Sequence, residues 1–107
     1  MTILEENILN YQSQLKVICK KHHVNKLFFF GSINTTNFKS DSDVDLIVEL
    51  EKMEPVEHGE ELLVLWNEFE NLFQRKVDLL TSTQKIKNPI FLRNIESSKH
   101  LFYDRAS

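Results

Sequence analysis

Two short apolar runs, separated by a polar stretch with a glycine and two paired aspartates, constrain the fold of this chain most strongly. Leu27–Phe30 and Leu46–Val48 are typical of buried strands. Gly31-Ser32 ends the first strand, and Asp43-Val44-Asp45 opens the second, which is predicted over Val44–Leu50. The connection of about a dozen residues is long for a hairpin, and long loops often carry function. We therefore expect a sheet with a functional site at the ends of these two strands.

Apolar periodicity predicts two amphipathic helices around this sheet. The first stripe comprises Leu4, Ile8, Tyr11, Leu15 and Ile18, and the second comprises Leu62, Trp66, Phe69 and Phe73. Thr2 and Glu5 have the spacing of a capping box before the first helix, and Glu51–Glu57 is expected to be a linker. Asn88-Pro89 is typical of the start of a last helix.

Two further apolar segments complete the expected architecture. Lys76–Leu80 predicts a third strand, and Leu101–Tyr103 is either a strand or the docked end of the last helix. The order helix, strand, strand, helix, strand, helix predicts an α+β fold with two layers. In it a small mixed sheet carries helices packed on one face. The length of 107 residues suits a single domain, residues 1–107.

Charge and cysteine content narrow the class of protein. The formal net charge of −3 argues against a nucleic-acid-binding protein. Cys19 is the single cysteine, so no intrachain disulfide can form, and a reducing compartment is expected. Because the chain has neither a signal-peptide plan nor a long apolar run, we expect a cytoplasmic protein without a membrane role.

The paired aspartates suggest a metal site. Residues i and i+2 of a strand share a face, so Asp43 and Asp45 are expected to project together and to repel each other unless a cation lies between them. Magnesium prefers carboxylates, waters and substrate phosphates. Asp78 is a lone acid in an apolar strand and could supply a third ligand. Gly31-Ser32 could bind a phosphate, because glycine allows close approach and a helix N-terminus attracts anions.

Simpler interpretations of the same residues exist. Aspartate-rich loops are often solvated turns, and Gly-Ser alone is a weak signal. Asp41, Asp43 and Asp45 also have the alternate spacing that begins a calcium loop. That interpretation fails, because Leu46 stands where the loop needs glycine and Lys52 where it needs a bidentate glutamate.

Gly31-Ser32, followed by ten residues and then Asp43-Val44-Asp45-Leu46, resembles the signature of the polymerase-beta-like nucleotidyltransferase superfamily. The short chain resembles its minimal nucleotidyltransferase group, the MNT antitoxins. The resemblance includes the leading helix, the Val77-Asp78-Leu79-Leu80 segment and the proline that begins the last helix. It therefore extends over most of the chain and implies the nucleotidyltransferase fold.

The resemblance also implies residue roles and partners. Gly31 and Ser32 would hold the β- and γ-phosphates of ATP, and Asp43 and Asp45 would ligate Mg²⁺, with two ions expected. Asp78 would ligate the catalytic metal and help to deprotonate the acceptor hydroxyl. Members of the MNT group transfer AMP to a tyrosine of a partner HEPN toxin, an RNase, and thereby silence it. An oligomer or a complex with that toxin is accordingly expected.

One departure from the family pattern leaves other functions open. Many relatives follow Gly-Ser with Arg-Ala-Arg-Gly, where this chain has Ile33-Asn34-Thr35-Thr36. Lys39 either replaces some of the missing charge or is a solvated surface residue. One alternative function is a binding module that neutralises its partner by occlusion alone. Another is a nucleotidyltransferase with a small-molecule acceptor, which normally needs an additional helical domain.

Overall fold

A computed structural model describes residues 2–81 and 99–106 of the protein. The helices in this part are α1 (Ile3–Asn7), α2 (Gln12–Lys21) and α3 (Pro55–Phe73), with a short 3₁₀ helix at Gly31–Asn34. The strands are β1 (Val24–Phe30), β2 (Val44–Leu50), β3 (Val77–Thr81) and β4 (His100–Asp104). The last helix predicted from Asn88-Pro89 lies outside the described residues.

The four strands form one mixed sheet in the order β3-β2-β1-β4. β1 runs antiparallel to both β2 and β4, whereas β2 and β3 are parallel. A parallel pair needs a crossover connection, and α3 supplies it here. The predicted α+β architecture is confirmed, and the parallel pairing brings the start of β2 beside the start of β3.

Side-chain alternation along the strands separates the core from the face that carries the acids. The core side of β2 and β3 is fully or almost fully buried, and it packs with apolar residues of the helices. This core includes Leu15, Val44, Leu46, Val48, Leu65, Phe69, Phe73, Val77 and Leu79. Since alternate residues point to opposite faces, Asp45 and Asp78 lie on the side of the sheet away from these residues.

The first apolar stripe forms two helices rather than the single predicted helix. The Thr2–Glu5 capping box is present, but α1 ends at Asn7, and the N–H of Tyr11 donates to the carbonyl of Ile8 at 2.8 Å. Ile8 is completely buried, and the Tyr11 ring lies 5.0 Å from that of Phe73. The bend between α1 and α2 lets both Ile8 and Tyr11 reach the core. The spacing of the apolar stripe does not indicate this bend, because it also fits a straight helix.

Element boundaries account for the other differences from the sequence prediction. Pro55 falls in the predicted linker but is the first residue of α3, a position that tolerates proline because its missing N–H has no intrahelical partner. Gln74, which caps the C-terminus of α3, lies in the left-handed region with φ 54°. Trp66 in α3 donates to the carbonyl of Val77 at 2.7 Å and so fixes the start of β3 against the helix. Among the described residues, no helix is both long enough and apolar enough to cross a membrane.

Candidate active site

The sheet brings two of the predicted acids side by side. Asp45 of β2 is paired in register with Asp78 of β3, and their carboxyl groups form a hydrogen bond. Asp43 immediately precedes β2, and its charge also acts on Asp45. The two segments are far apart in the chain, so the parallel pairing is what creates this group of carboxylates.

Asp45 is the acid most affected by this arrangement. Burial raises its pKa from the ordinary value of 3.8 to about 6, and the charge of Asp78 and the hydrogen bond that protonated Asp45 donates to Asp78 add to the shift. The negative charge of Asp43 acts in the same direction, and the positive charge of Lys76 opposes it. Without a cation, Asp45 therefore keeps its proton to a higher pH than an ordinary aspartate does. A bound cation could replace that proton.

Gly31 joins the predicted phosphate turn to the carboxylates. Its φ of 78° lies in the left-handed region that favours glycine. A Cβ atom at this position would overlap Oδ2 of Asp45 and would lie 3.4 Å from its Cγ. Phe30, the preceding residue, is paired with Asp45 across the antiparallel strands. The glycine and the aspartate are therefore in direct contact and form one site.

The residues after Ser32 hold the turn in place without arginine. Ile33 is buried in the core, and Asn34 donates to the carbonyl of Phe29 at 3.0 Å. The hydroxyl of Thr35 donates to the carbonyl of Ser32 at 2.8 Å. The departure from the arginine-containing pattern thus replaces charged residues with a core residue and neutral hydrogen bonds.

Asn7, at the end of α1, also supports this turn. Its side-chain amide donates to the carbonyl of Ile33 at 2.7 Å and to that of Thr35 at 3.3 Å. The sequence analysis did not identify Asn7, because a polar residue at the end of a helix is not unusual. Its partners lie far along the chain, and only the fold brings them together.

Among the described residues, Lys76 rather than Lys39 lies beside the acids. Nζ of Lys76 lies 4.0 Å from Oδ2 of Asp43. Lys39 is exposed, and its described contacts are those of its main chain, with Ser42 and Arg75. The sequence analysis missed Lys76, although its place just before the strand with Asp78 could have indicated it.

The fit to magnesium rests on the chemistry of the donors. Carboxylate oxygens are hard ligands that suit Mg²⁺, which also takes waters and phosphate oxygens. Within residues 2–81 and 99–106, however, no group of three His, Cys, Asp or Glu side chains is arranged to hold a metal ion. The protein's own contribution is thus the Asp45–Asp78 pair with Asp43 beside it, and the three-ligand metal site remains a prediction.

Elsewhere in the part of the chain that the structure describes, His22 and Cys19 do not form a comparable site. His22 is buried between two glutamates of α3, with Nδ1 2.6 Å from Glu61 and Nε2 in contact with Glu68. Because the two acids meet opposite nitrogens of the ring, they cannot share one metal ion with it. Burial raises the pKa of the Cys19 thiol to about 12, so it is an unreactive core residue.

A cavity of about 540 Å³ lies elsewhere, between α2 and α3. Its lining includes Val17, Ile18 and Leu72, and none of the three predicted acids contributes to it. The cavity is therefore separate from the carboxylate site.

The family model described as polymerase beta, nucleotidyltransferase matches residues 13–107. No curated protein sequence matches the chain. Several solved structures share its fold.

A chain of a toxin–antitoxin complex with AMP-PNP has a TM-score of 0.67 at 11% identity, covering 88% of this chain and 73% of that one. A chain of the complex between a tri-AMPylated Shewanella oneidensis HEPN toxin and its MNT antitoxin has a TM-score of 0.54 at 12% identity, over 96% and 74% of the two chains. A structure assigned as a minimal nucleotidyltransferase has a TM-score of 0.62 at 22% identity, over 94% and 95%.

Proposed function

Because this chain belongs to the polymerase-beta nucleotidyltransferase family, we propose that it transfers AMP from ATP to a hydroxyl group of a partner protein. The observation that carries the proposal is the contact between Gly31 and Asp45 at the Asp45–Asp78 pair. A phosphate-binding turn and a cation-binding pair of acids in direct contact are what a metal–triphosphate substrate requires.

Each predicted residue then has a role. Gly31 and Ser32 bind the β- and γ-phosphates, and Asp43, Asp45 and Asp78 hold Mg²⁺. When bound, magnesium neutralises charge on the phosphate oxygens and orients the triphosphate. Asp78, which is paired in register with Asp45, also accepts the proton of the attacking hydroxyl.

The proposed reaction is a displacement at the α-phosphorus of ATP. The acceptor oxygen forms a bond to this phosphorus, and the bond from the phosphorus to the bridging oxygen of the β-phosphate breaks. Pyrophosphate leaves with the electron pair of that bond, and the hydroxyl proton passes to the carboxylate. The product is an AMP phosphodiester on the acceptor.

We further propose that the acceptor is a tyrosine of a HEPN-type toxin and that the protein acts as its antitoxin. The structural neighbours include MNT antitoxins in complex with HEPN toxins, and one of those toxins is tri-AMPylated. The neighbour bound to AMP-PNP supports an adenine nucleotide as the donor. ATP and a free thiol are both typical of the cytoplasm, where we expect the protein to act.

Intact-mass spectrometry of the candidate toxin tests this proposal. After incubation with this protein, ATP and Mg²⁺, the toxin should gain the mass of one or more AMP units. Asp43→Asn and Asp45→Asn should abolish the gain. Asp41→Asn should leave it unchanged, because it makes the same chemical change at an exposed residue of the preceding loop.

Two results would decide against the proposal. If the two proteins form a complex but no mass gain occurs, the protein neutralises its partner by binding alone. If the gain persists in a variant that lacks both Asp43 and Asp45, the carboxylates do not carry the reaction. Peptide mapping of a modified toxin would show whether the acceptor is tyrosine.

A further inference from the structure

Asp43 lies outside the strands and is not held by burial. It precedes the first residue of β2, and its side chain is 45% exposed. The main chain on either side of it is nevertheless anchored. The N–H of Val44 donates to the carbonyl of Lys76 at 3.0 Å, and the carbonyl of Ser42 accepts from Nη1 of Arg75 at 3.0 Å. Both anchors come from the two residues just before the strand that carries the third predicted acid.

Arg75 also fixes the other end of the turn that leads into Asp43. Its Nη1 donates to the carbonyl of Lys39 at 2.8 Å. The turn from Lys39 to Ser42 is closed by a main-chain hydrogen bond of 3.1 Å between these two residues. A single guanidinium group therefore holds both ends of the turn.

The guanidinium is itself oriented by an aromatic ring. Its Cζ atom lies 4.7 Å from the centroid of the Phe38 ring, a distance that allows a cation–π interaction. A planar guanidinium can stack on a ring while donating in its own plane, which the point charge of a lysine does less well. The arrangement accordingly depends on arginine in particular.

We propose that Arg75 is a positioning residue that holds Asp43 in place relative to Asp45 and Asp78 for binding of the magnesium–nucleotide complex. The inference rests on the proposed function, since it assigns Arg75 to the same site. Arg75 acts through the main chain of the turn, and its substitution should leave the carboxylates present but misplaced. Loss of such supporting contacts typically weakens metal affinity or activity by about 10–100-fold.

The test measures the Mg²⁺ concentration required for half-maximal binding of AMP-PNP by the full chain. Arg75→Ala should raise this concentration by about 10-fold or more, and Arg75→Lys by a smaller factor. Lys39→Ala is the matched control, because it removes a positive charge from the same turn and leaves intact the carbonyl that Arg75 binds. It should change the concentration less than about twofold.

Amide hydrogen exchange supplies a second readout that does not depend on nucleotide binding. Exchange in the segment 39–44 should be faster in Arg75→Ala, whereas exchange in β1 should be unchanged. Phe38→Leu, which removes the ring under the guanidinium, should give a weaker form of both effects. This variant keeps the proposal testable if Arg75→Ala does not fold.

Three outcomes would overturn the inference. One is an Arg75→Ala protein that is less stable but has the wild-type Mg²⁺ requirement. A second is a Lys39→Ala protein with an equally raised requirement, which would show that charge alone matters. The third is unchanged exchange in residues 39–44. If the wild-type protein binds no AMP-PNP with Mg²⁺, the proposed function fails, and the exchange measurement still decides whether Arg75 holds the turn.

Discussion

Replacing Asp45 by asparagine should stabilise the metal-free protein while it removes activity. Asp45 is forced to ionise in a partly buried position beside two other acids, and its pKa is therefore raised from 3.8 to about 6. Asparagine has the same shape and carries no charge. The amide of asparagine can also donate a hydrogen bond to Asp78 at every pH. The carboxyl group of Asp45 can do so only at low pH, when it is protonated.

The direction of the pH dependence follows from the raised pKa. The folded protein holds a proton on Asp45 more tightly than the unfolded chain does, so wild-type stability falls as the pH rises from about 4 to above 6. A shift of about two pKa units corresponds to at most about 3 kcal/mol. Because the carboxyl group is partly exposed and screened by solvent, we expect about 1–2 kcal/mol at a pH of about 7.5.

Thermal and urea unfolding in the presence of EDTA would measure this effect. Asp45→Asn should raise the melting temperature by about 5–10 °C at a pH of about 7.5, and by much less at a pH of about 4. Asp41→Asn is the control, because it removes one exposed carboxylate from the same part of the chain. It should change the unfolding free energy by less than about 0.5 kcal/mol.

Magnesium and AMP-PNP should reverse the order of stability. A ligand that binds only the folded state stabilises it by mass action, and the wild-type protein should gain this stabilisation while Asp45→Asn should not. An Asp45→Asn protein that is less stable than wild type in EDTA at neutral pH would refute the reasoning. If Asp45→Asn raised the stability equally at low and neutral pH, the reasoning would also be refuted, since the effect would then not come from ionisation of Asp45.

Three further substitutions test other contacts of the site. Gly31→Ala should abolish AMP transfer and reduce the unfolding free energy by about 1–3 kcal/mol in urea unfolding, because its Cβ would overlap Asp45 at a positive φ. Asn7→Ala should weaken AMP-PNP binding severalfold by calorimetry, with about 1 kcal/mol of lost stability, since it frees the turn after Gly31. Trp66→Phe should cost about 1–2 kcal/mol in urea unfolding followed by circular dichroism, because the carbonyl of Val77 loses its donor. Unchanged values in any of these assays would contradict the corresponding contact.

The sequence predicted those elements whose pattern is local. The bounds of β2, Val44–Leu50, and the apolar stripe of α3 follow from residue periodicity, which reports directly on burial. The break at Ile8–Tyr11 could not be predicted, because its apolar residues fit a straight helix as well as a bent one. Tertiary packing against Phe73 decides between the two.

The candidate site likewise has residues that the sequence indicated and residues that only the fold revealed. Its acids and its glycine have a recognisable spacing, and the sequence therefore indicated Gly31, Asp43, Asp45 and Asp78. The supporting residues, Asn7 and Arg75, act on main-chain carbonyl groups. The main-chain carbonyl of any residue can accept a hydrogen bond, so the residue types around these carbonyls do not predict the contacts.

The parallel pairing of β2 with β3 makes the site sensitive to local opening of the sheet. β3 is an edge strand of the described sheet, and it has only five residues. The long helix α3 lies between β2, which contains Asp45, and β3 in the sequence. The contact between Asp45 and Asp78 is therefore non-local, and it forms only when α3 and β3 have docked. Partial detachment of β3 would separate the acids while most of the core stays folded. Activity would thus be lost through a sub-global fluctuation that costs less free energy than complete unfolding.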